Sequence, residues 1–453
     1  MEGVLIAGIW LRKFLRPNRQ VSKSGGETCK EEIMPGKKIL FLCDASDIDI
    51  VDKSFADSKE YEITVETTEK ILDYGVQPYL QRTMDLIKEY PGMYDGIVGT
   101  HDSSAVFASI ICSETGKTFA SLPGVINCQN KYISRHKQRE VLPEAVPEFC
   151  LALEYLQNPS RLSPPFFIKP VRANISFGTH LIETPEELEY YIGLESKDIA
   201  AYNQYYLDAL SLRPHMSNGL NVATCNSFLC EGLITGEQVT VDGFVCNGQV
   251  HIFGMTKAVF YPGSNSFSHH EFPYSFSPAL DEKIKTGLTR LVPALGIDNS
   301  FFNVELRADP EKESFAILEV NSRIAFQFAK TIELVTGFDP LHLLCDVACN
   351  EQPDLTRTQR KTYPLCFNFE LHSFTDQKIV KTPTQSGYEQ IRLLYPDVHI
   401  RNLIHERSML SDYKHNPESF RYCMLDIPGN SREEILAAYE HITSLLGYEF
   451  EDA

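Results

Sequence analysis

No apolar run in the 453 residues approaches the ~20 needed to cross a bilayer, so no transmembrane segment is expected. Positive charge is also in short supply. Lys and Arg number 42 against 61 Asp and Glu, a formal net charge of -19, which argues against a general nucleic-acid binder. An anionic ligand would have to be held by local cations. The 12 cysteines include no C-x-x-C pair, and Cys43, Cys112, Cys230 and Cys246 lie in apolar runs. Buried, reduced thiols in a cytoplasmic protein are therefore expected, not a disulfide framework or a zinc site. Cys345 and Cys349, one helical turn apart, read as core. There is no internal repeat and no low-complexity tract. The opening stretch MEGVLIAGIWLRKFLRPNRQ lacks a basic region before its apolar run and a small-residue cleavage site, so no signal peptide is expected. Its Leu5, Ile9, Trp10 and Leu11 with Arg12, Lys13, Arg16 and Arg19 suit a basic amphipathic helix able to touch a membrane surface. Packing on the protein's own acidic body, or disorder, are the alternatives.

What is present is ordinary globular material, 43% hydrophobic and 23% charged, in a chain longer than one hydrophobic core usually serves. Two or three lobes are expected. Residues 1–36 form an N-terminal extension. Strand-like ILFLCD (39–44), YEITVE (61–66) and YDGIVGT (94–100) alternate with helical spacing over 77–90 and from Asp102 to Cys112, which predicts a parallel α/β lobe over 37–128. Asp102 or Ser103 is the expected cap of the second helix. A helix in NKYISRHKQREVL then leads to FFIKP (166–170), GTHLIE (178–183) and a helix start at Thr184, Pro185 and Glu187. FLCEGLI, EQVTVDGFV and QVHIFGM read as three consecutive antiparallel strands. YPGSNSFSHHEFPYSFSP (261–278) has no period and reads as a long functional loop. Helices over 281–296 and 330–349 flank the last hairpin, and 351–453 forms a further α/β segment.

That hairpin carries the chemistry. FFNVELR (301–307) and FAILEVN (315–321) flank a polar turn, and the natural register sets Glu305 opposite Glu319 and Asn303 opposite Asn321. Like charges directly across a strand pair repel. A cation between them removes the conflict, and two carboxylates plus an amide oxygen suit Mg²⁺, or Mn²⁺, which keeps open positions for phosphate oxygens. Arg323, further along the same face, suits an anionic group beyond the metal. The alternative is a solvated sheet face without a role. Lys169 closes the apolar run FFIK at the root of loop 171–177, where a lysine and loop N–H groups can cover phosphates. Glu231 and Glu237 lie at a strand junction and suit the amino and hydroxyl donors of a nucleoside. Lys131, taken alone, reads as a solvated helix charge.

The motifs NKYISR, FFIKPVRANISFG, CEGLITGEQVTVDG and FNVELR followed by ILEVNSR, in this order and spacing, resemble the ATP-grasp superfamily over residues 37–350. The tail resembles the C-terminal segment of its carboxylate-amine, or L-amino acid, ligase branch, with biotin-carboxylase-like architecture. The resemblance implies an α/β fold: a Rossmann-like pre-ATP-grasp lobe (37–128), a two-part ATP-grasp core (129–350, small lobe about 145–232) and a C-terminal α/β segment (351–453). It implies that Lys131 and Lys169 contact ATP phosphates with help from Ser176, that Glu231 lies at adenine with the backbone of Leu233 and Ile234, and that Glu237 binds ribose. Glu305, Glu319 and Asn321 would hold Mg²⁺, and Arg323 the substrate carboxylate or acyl phosphate. The phosphate loop contains a single glycine, Gly178, where many members carry two or more.

Such enzymes activate a small carboxylate as an acyl phosphate for attack by an amine. That is the expected function here, with small-molecule partners, no nucleic acid, and the homodimers common among relatives. His269 or His270 would polarise the acyl phosphate or take a proton from the amine, the alternative being a surface histidine pair in a loop. Lys257 would add a cation, or simply end a strand in solvent. Two other readings are a bicarbonate-activating carboxylase, for which the chain has no biotin-accepting Met-Lys-Met, and a nucleotide-binding module without turnover.

Overall fold

The N-terminal sheet is parallel, with strand order β2 (Tyr61–Thr67), β1 (Lys37–Cys43), β3 (Gly96–Gly99). Near-continuous apolar strands such as KKILFLC need cover on both faces, which helices supply. The helix Asp102–Thr115 follows β3 directly. His101, not Asp102 or Ser103, is its cap residue, and the His101 N–H donates to Ser104 Oγ at 2.9 Å. Asp102 is thereby the first helical residue, at the carboxyl edge of the parallel sheet. This computed structural model describes residues 36–173, 177–215, 219–355, 362–413 and 419–452.

A second, four-stranded antiparallel sheet has the order β4 (Phe149–Leu151), β7 (Phe228–Gly232), β5 (Phe166–Pro170), β6 (His180–Ile182). Its apolar face, with Phe166, Ile168, Ile182 and Cys230, packs on its own helices. The helix Pro185–Ser211 starts as the sequence predicts: Thr184 Oγ1 accepts from the Glu187 N–H at 3.3 Å and Glu187 answers on the Thr184 N–H at 3.2 Å. Its far end reaches the N-terminal lobe, where Tyr206, Ala209 and Leu210 share a core with Leu80, Phe107 and Ile110.

The third sheet has eight strands in the order β12 (Ser314–Asn321), β11 (Ser300–Asp309), β8 (Glu237–Cys246), β9 (Gln249–Phe260), β10 (Phe267–Tyr274), β13 (Leu365–Ser373), β16 (Phe420–Gly429), β15 (His399–Asn402). A small pair, β14 (Gln377–Lys381) with β17 (Glu449–Asp452), completes the C-terminal segment.

Three expectations are corrected. FLCEGLI and EQVTVDGFV do not pair with each other: β7 belongs to the small sheet and β8 to the large one, so Thr235 and Gly236 between them lie in a crossing and not in a hairpin turn. The stretch 261–278 contains β10, which lies between β9 and β13. Covered on both faces, it shows no alternation that sequence could reveal. The helix expected over 330–349 is two, Ala329–Thr336 and Pro340–Ala348. Gly337 ends the first at φ 85°, and Asp339 with Pro340 starts the second. Among the described residues no helix is long and apolar enough to cross a membrane. The basic N-terminal stretch lies outside the described residues.

Candidate active site between the two antiparallel sheets

The large sheet sorts its side chains by strand alternation. Residues paired across neighbouring strands share a face, so the pairs Glu305↔Glu319, Asn303↔Asn321, Asn303↔Asp242, Glu305↔Thr240, Thr240↔Thr256, Ala258↔His270, His270↔Asn368 and Asn368↔Asp426 trace one polar row. The other face carries Val239, Val241, Val304, Leu306 and Ile317, packed with the helix Pro278–Ala294 in a continuous apolar core.

The hairpin register matches the sequence reading, Glu305 facing Glu319 and Asn303 facing Asn321. Burial pushes the Glu305 carboxyl up to about 7, reinforced by Glu319 and opposed by Arg323, Lys131 and Lys169. Two carboxylates and an amide held this way fit a hard divalent cation, since it would neutralise the repulsion. Among the described residues no three His, Cys, Asp or Glu side chains converge as a metal cluster, so the candidate ligands are two carboxylates and one amide. Behind them, Asn321 Nδ2 donates to Asn303 Oδ1 at 3.2 Å and Asn303 Nδ2 to Asp242 Oδ1 at 2.9 Å. Asp242 is buried, which pushes its carboxyl up to about 7 against the hydrogen bonds from Asn303 and Thr240.

The helix Lys131–Val141 joins the two sheets. Lys131 and Arg135, four residues apart, lie on one helix face. Lys131 Nζ is 2.9 Å from Glu319 of the large sheet and donates at 2.6 Å to the Ala173 carbonyl of the phosphate loop. It is buried, so its reading as a solvated helix charge is wrong. Arg135 bonds Glu231 of the small sheet, and through Nη2 the Leu318 carbonyl at 2.8 Å. A β-bulge in the β11–β12 register passes over Leu318 and frees that carbonyl. Lys169 pairs with the other oxygen of Glu231. Burial, with repulsion from Arg135 and Lys131, lowers the Lys169 ammonium against the pull of Glu231. Burial would raise the Glu231 carboxyl, but Arg135 and Lys169 hold it at about 2.

Arg323 lies just past β12. Its Nε is 3.1 Å from Asp102 Oδ1, and both side chains are largely buried, at 19% and 16% exposure. Burial would raise the Asp102 carboxyl, but Arg323, then Arg172, Lys131 and His101, hold it below the usual range. A pocket here is lined by Asp102, Gln129, Arg172, Ala173, Tyr202, Glu319 and Asn321. Arg172 is buried and bonds Asn203 (2.9 Å), Gln129 (3.0 Å) and Tyr205 (2.7 Å), with its guanidinium over the Tyr206 ring at 3.9 Å.

The structure thus brings together Lys131, Lys169, Glu231, Glu305, Glu319, Asn321 and Arg323. Leu233 is exposed and Ile234 half-buried in the connection from β7 to β8. Ser176 lies outside the described residues. Lys257 is not at the metal set: it opposes Val239 in mid-strand, on the other face, and bonds Glu237 and Tyr274. Nor is it a solvated strand end. Glu237 shares that face and accepts from Tyr274 Oη at 3.1 Å. The histidines are corrected too, because neither is on a loop surface. Alternation sends them to opposite faces. His269 stacks on Phe367 and Phe369 with its Nε2 3.1 Å from Glu271, while only His270 shares the polar row.

Arg135, Asp102 and Asp242 escaped the sequence reading. Arg135 had a signal, its spacing of four from Lys131, and Asp102 had another, its place at the carboxyl end of a parallel strand where α/β folds bind ligands.

Residues 162–331 match the family model of the ATP-grasp domain. Among solved structures, the chain resembles an L-amino acid ligase from Bacillus licheniformis at 15% identity and TM-score 0.69, over 92% of this chain and all of the other. It also resembles phosphoribosylglycinamide synthetase from Anaerococcus prevotii (12%, TM-score 0.61, 92% and 100% covered). A third is a biotin carboxylase from Campylobacter jejuni in complex with β-γ-ATP (13%, TM-score 0.61, 92% of each). No curated protein sequence matches the chain.

Proposed function

For a chain that carries an ATP-grasp domain, we propose an ATP- and Mg²⁺-dependent ligase that joins a small carboxylate, an amino acid, to an amine through an acyl phosphate. The observation that carries this reading is the pair Glu305 and Glu319, opposed across one hairpin and flanked by Lys131, Lys169 and Arg323. A carboxylate pair among cations is what a metal–triphosphate site requires. The likeness to an L-amino acid ligase agrees with it.

In this reading ATP occupies the cleft between the sheets. The backbone of Leu233 and Ile234 takes the adenine edge beside Glu231, and Glu237, half-exposed at the first residue of β8, would take the ribose by exchanging its bonds to Lys257 and Tyr274 on the opposite face for the ribose hydroxyls. Lys131 and Lys169 hold the phosphates, with Ser176 as a further donor. Glu305, Glu319 and the Asn321 oxygen hold Mg²⁺, which when bound neutralises phosphate charge. A substrate carboxylate oxygen on Arg323 attacks the γ-phosphorus and the bond to ADP breaks. The amine then attacks the acyl carbon, phosphate leaves, and the amine proton passes to a base. His270, which faces the polar row, is the candidate base. Catalysis is chiefly positioning and charge stabilisation.

The test is release of ADP and phosphate with Mg²⁺ and ATP against amino acids supplied singly and in pairs, with products identified by mass. A product lighter than the two substrates by one water supports the ligase. Release stimulated by bicarbonate alone would favour a carboxylase, and nucleotide binding without release would favour a module that does not turn over.

A further inference from the structure

The large sheet has an open edge in its interior. β9 runs from Gln249 to Phe260, yet β10 pairs with it only from Phe260 back to Met255, which faces Tyr274. Pro273, at the irregular end of that ladder, has no N–H to extend it, and the chain turns away into the helix Pro278–Ala294. The opposite side of β9 is fixed by β8. Asn247 and Gly248, both at positive φ, make a two-residue turn, so Cys246 and Gln249 close that ladder. Alternation then directs the N–H and C=O of Val250 and Ile252 away from β8. Among the described residues no strand takes them up.

This edge borders a cavity of about 380 Å³, within the span of small-ligand pockets, about 300–1,000 Å³. Val250 and Ile252 pack with the core beneath the helix Pro278–Ala294, and Lys285 of that helix stands on one wall. Phe253 points to the other face, where its ring lies 5.5 Å from that of Phe338 and Leu355 completes the wall. Free backbone groups between two apolar walls match a ligand with the same spacing of donors and acceptors, another extended chain. Lys285 is exposed and pairs with no carboxylate among the described residues, so the one cation at the cavity is open to an anionic group.

We propose that the open edge of β9 binds the carboxyl end of a short apolar peptide. The peptide adds as a strand in the lane that β10 vacates, its backbone bonded to Val250 and Ile252. Its side chains lie between the two walls, and its terminal carboxylate meets Lys285. The walls disfavour charged side chains, and a single cation matches a single carboxylate. None of these residues is among those placed around ATP or Mg²⁺, so the inference goes beyond the ligase reading and does not rest on it.

The experiment uses the full chain and the probe acetyl-Val-Leu, compared with its carboxyl-terminal amide and with the acid N-methylated at valine or at leucine. Calorimetry gives the affinities, and hydrogen exchange read by mass spectrometry gives the place. The acid should bind and slow exchange over residues 249–254 of β9. Amidation should weaken it by about 3- to 5-fold, the scale of an exposed ion pair. A strand bonds its neighbour through alternate residues, so one N-methyl probe should lose about 10-fold and the other little. Lys285→Gln, at an exposed helix position, should keep the fold and make acid and amide bind alike. No binding at millimolar concentration overturns the proposal, as do equal affinities of both N-methyl probes and the parent acid, or a preference for the acid that survives Lys285→Gln. Protection of the hairpin Ser300–Asn321 in place of β9 would put the peptide in the candidate active site and overturn it too.

Discussion

Asn321 donates through Nδ2 to Oδ1 of Asn303 at 3.2 Å, and so turns its own oxygen away from Asn303. Asn303 is held the same way, because Asp242 accepts its Nδ2 at 2.9 Å. A carboxylate at the end of this chain of amides sets the direction of every donor in it. Replacing Asp242 by Asn removes that polarity, and both amides become free to reverse. We expect Asp242→Asn to weaken divalent-cation affinity by about 10- to 100-fold, as loss of a partner behind a metal ligand does. Mn²⁺ titration followed by electron paramagnetic resonance, with ATP present, reads this without turnover. Unchanged Mn²⁺ affinity in a folded variant would sink the relay.

The metal assignment has a direct check in Glu319→Gln. An amide cannot supply the charge that balances Mg²⁺, so Mg²⁺-dependent ATP affinity should fall by at least about 10-fold. Calorimetry of ATP binding with and without Mg²⁺ measures it. If the Mg²⁺-dependent part of the affinity survives, the ligand set is wrong.

Glu231 is a structural clamp as well as a candidate adenine neighbour, because Arg135 and Lys169 share its buried carboxylate. Glu231→Gln leaves both cations buried without a counter-charge and should destabilise the protein by about 3–5 kcal/mol. The acid dependence follows from the direction of the shift. A carboxyl held at about 2, against an ordinary 4.5, gives stability that is complete above pH 4.5 and lost as pH falls toward 2. Urea unfolding of both proteins across that range should show a shallower acid loss in the variant, and equal slopes would show that Glu231 does not carry it.

The hairpin was legible because its register depends on residues within 20 positions of one another: apolar strands, a polar turn and a carboxylate that must face its twin. Lys169 was legible for a similar local reason, a cation closing an apolar run. The partners of Arg323 and Glu231 were not. Asp102 and Arg135 reach the site from elements 221 and 96 positions away, and only the packing of the lobes joins them. The β10 strand was hidden because both its faces are covered, so His269 and His270 look alike in sequence. Strand alternation separates them, and also carries Lys257 away from the metal set.

His270 provides the last prediction. Its neighbours are Glu370 of β13, 3.7 Å from Nδ1, Arg421 of β16, His269 beside it in sequence, and the rings of Phe267 and Phe328. Burial lowers the imidazole to about 4, with His269 and Arg421 adding to the shift and Glu370 opposing it. The folded ring is therefore neutral at pH 7, and as long as it stays buried it is a weaker proton acceptor than a free histidine. The same shift fixes the sign of its effect on stability. Between pH 6.5 and 4 the unfolded chain takes up a proton that the folded chain refuses, so stability falls with falling pH, by on the order of 3 kcal/mol over that window. Above pH 6.5 the contribution is complete. His270→Gln should flatten the dependence between pH 6.5 and 4. A wild-type His270 ring found by NMR to titrate near 6.5, or an unchanged slope in the variant, would show that the pocket leaves it free to charge, and that this acid sensitivity is not its own.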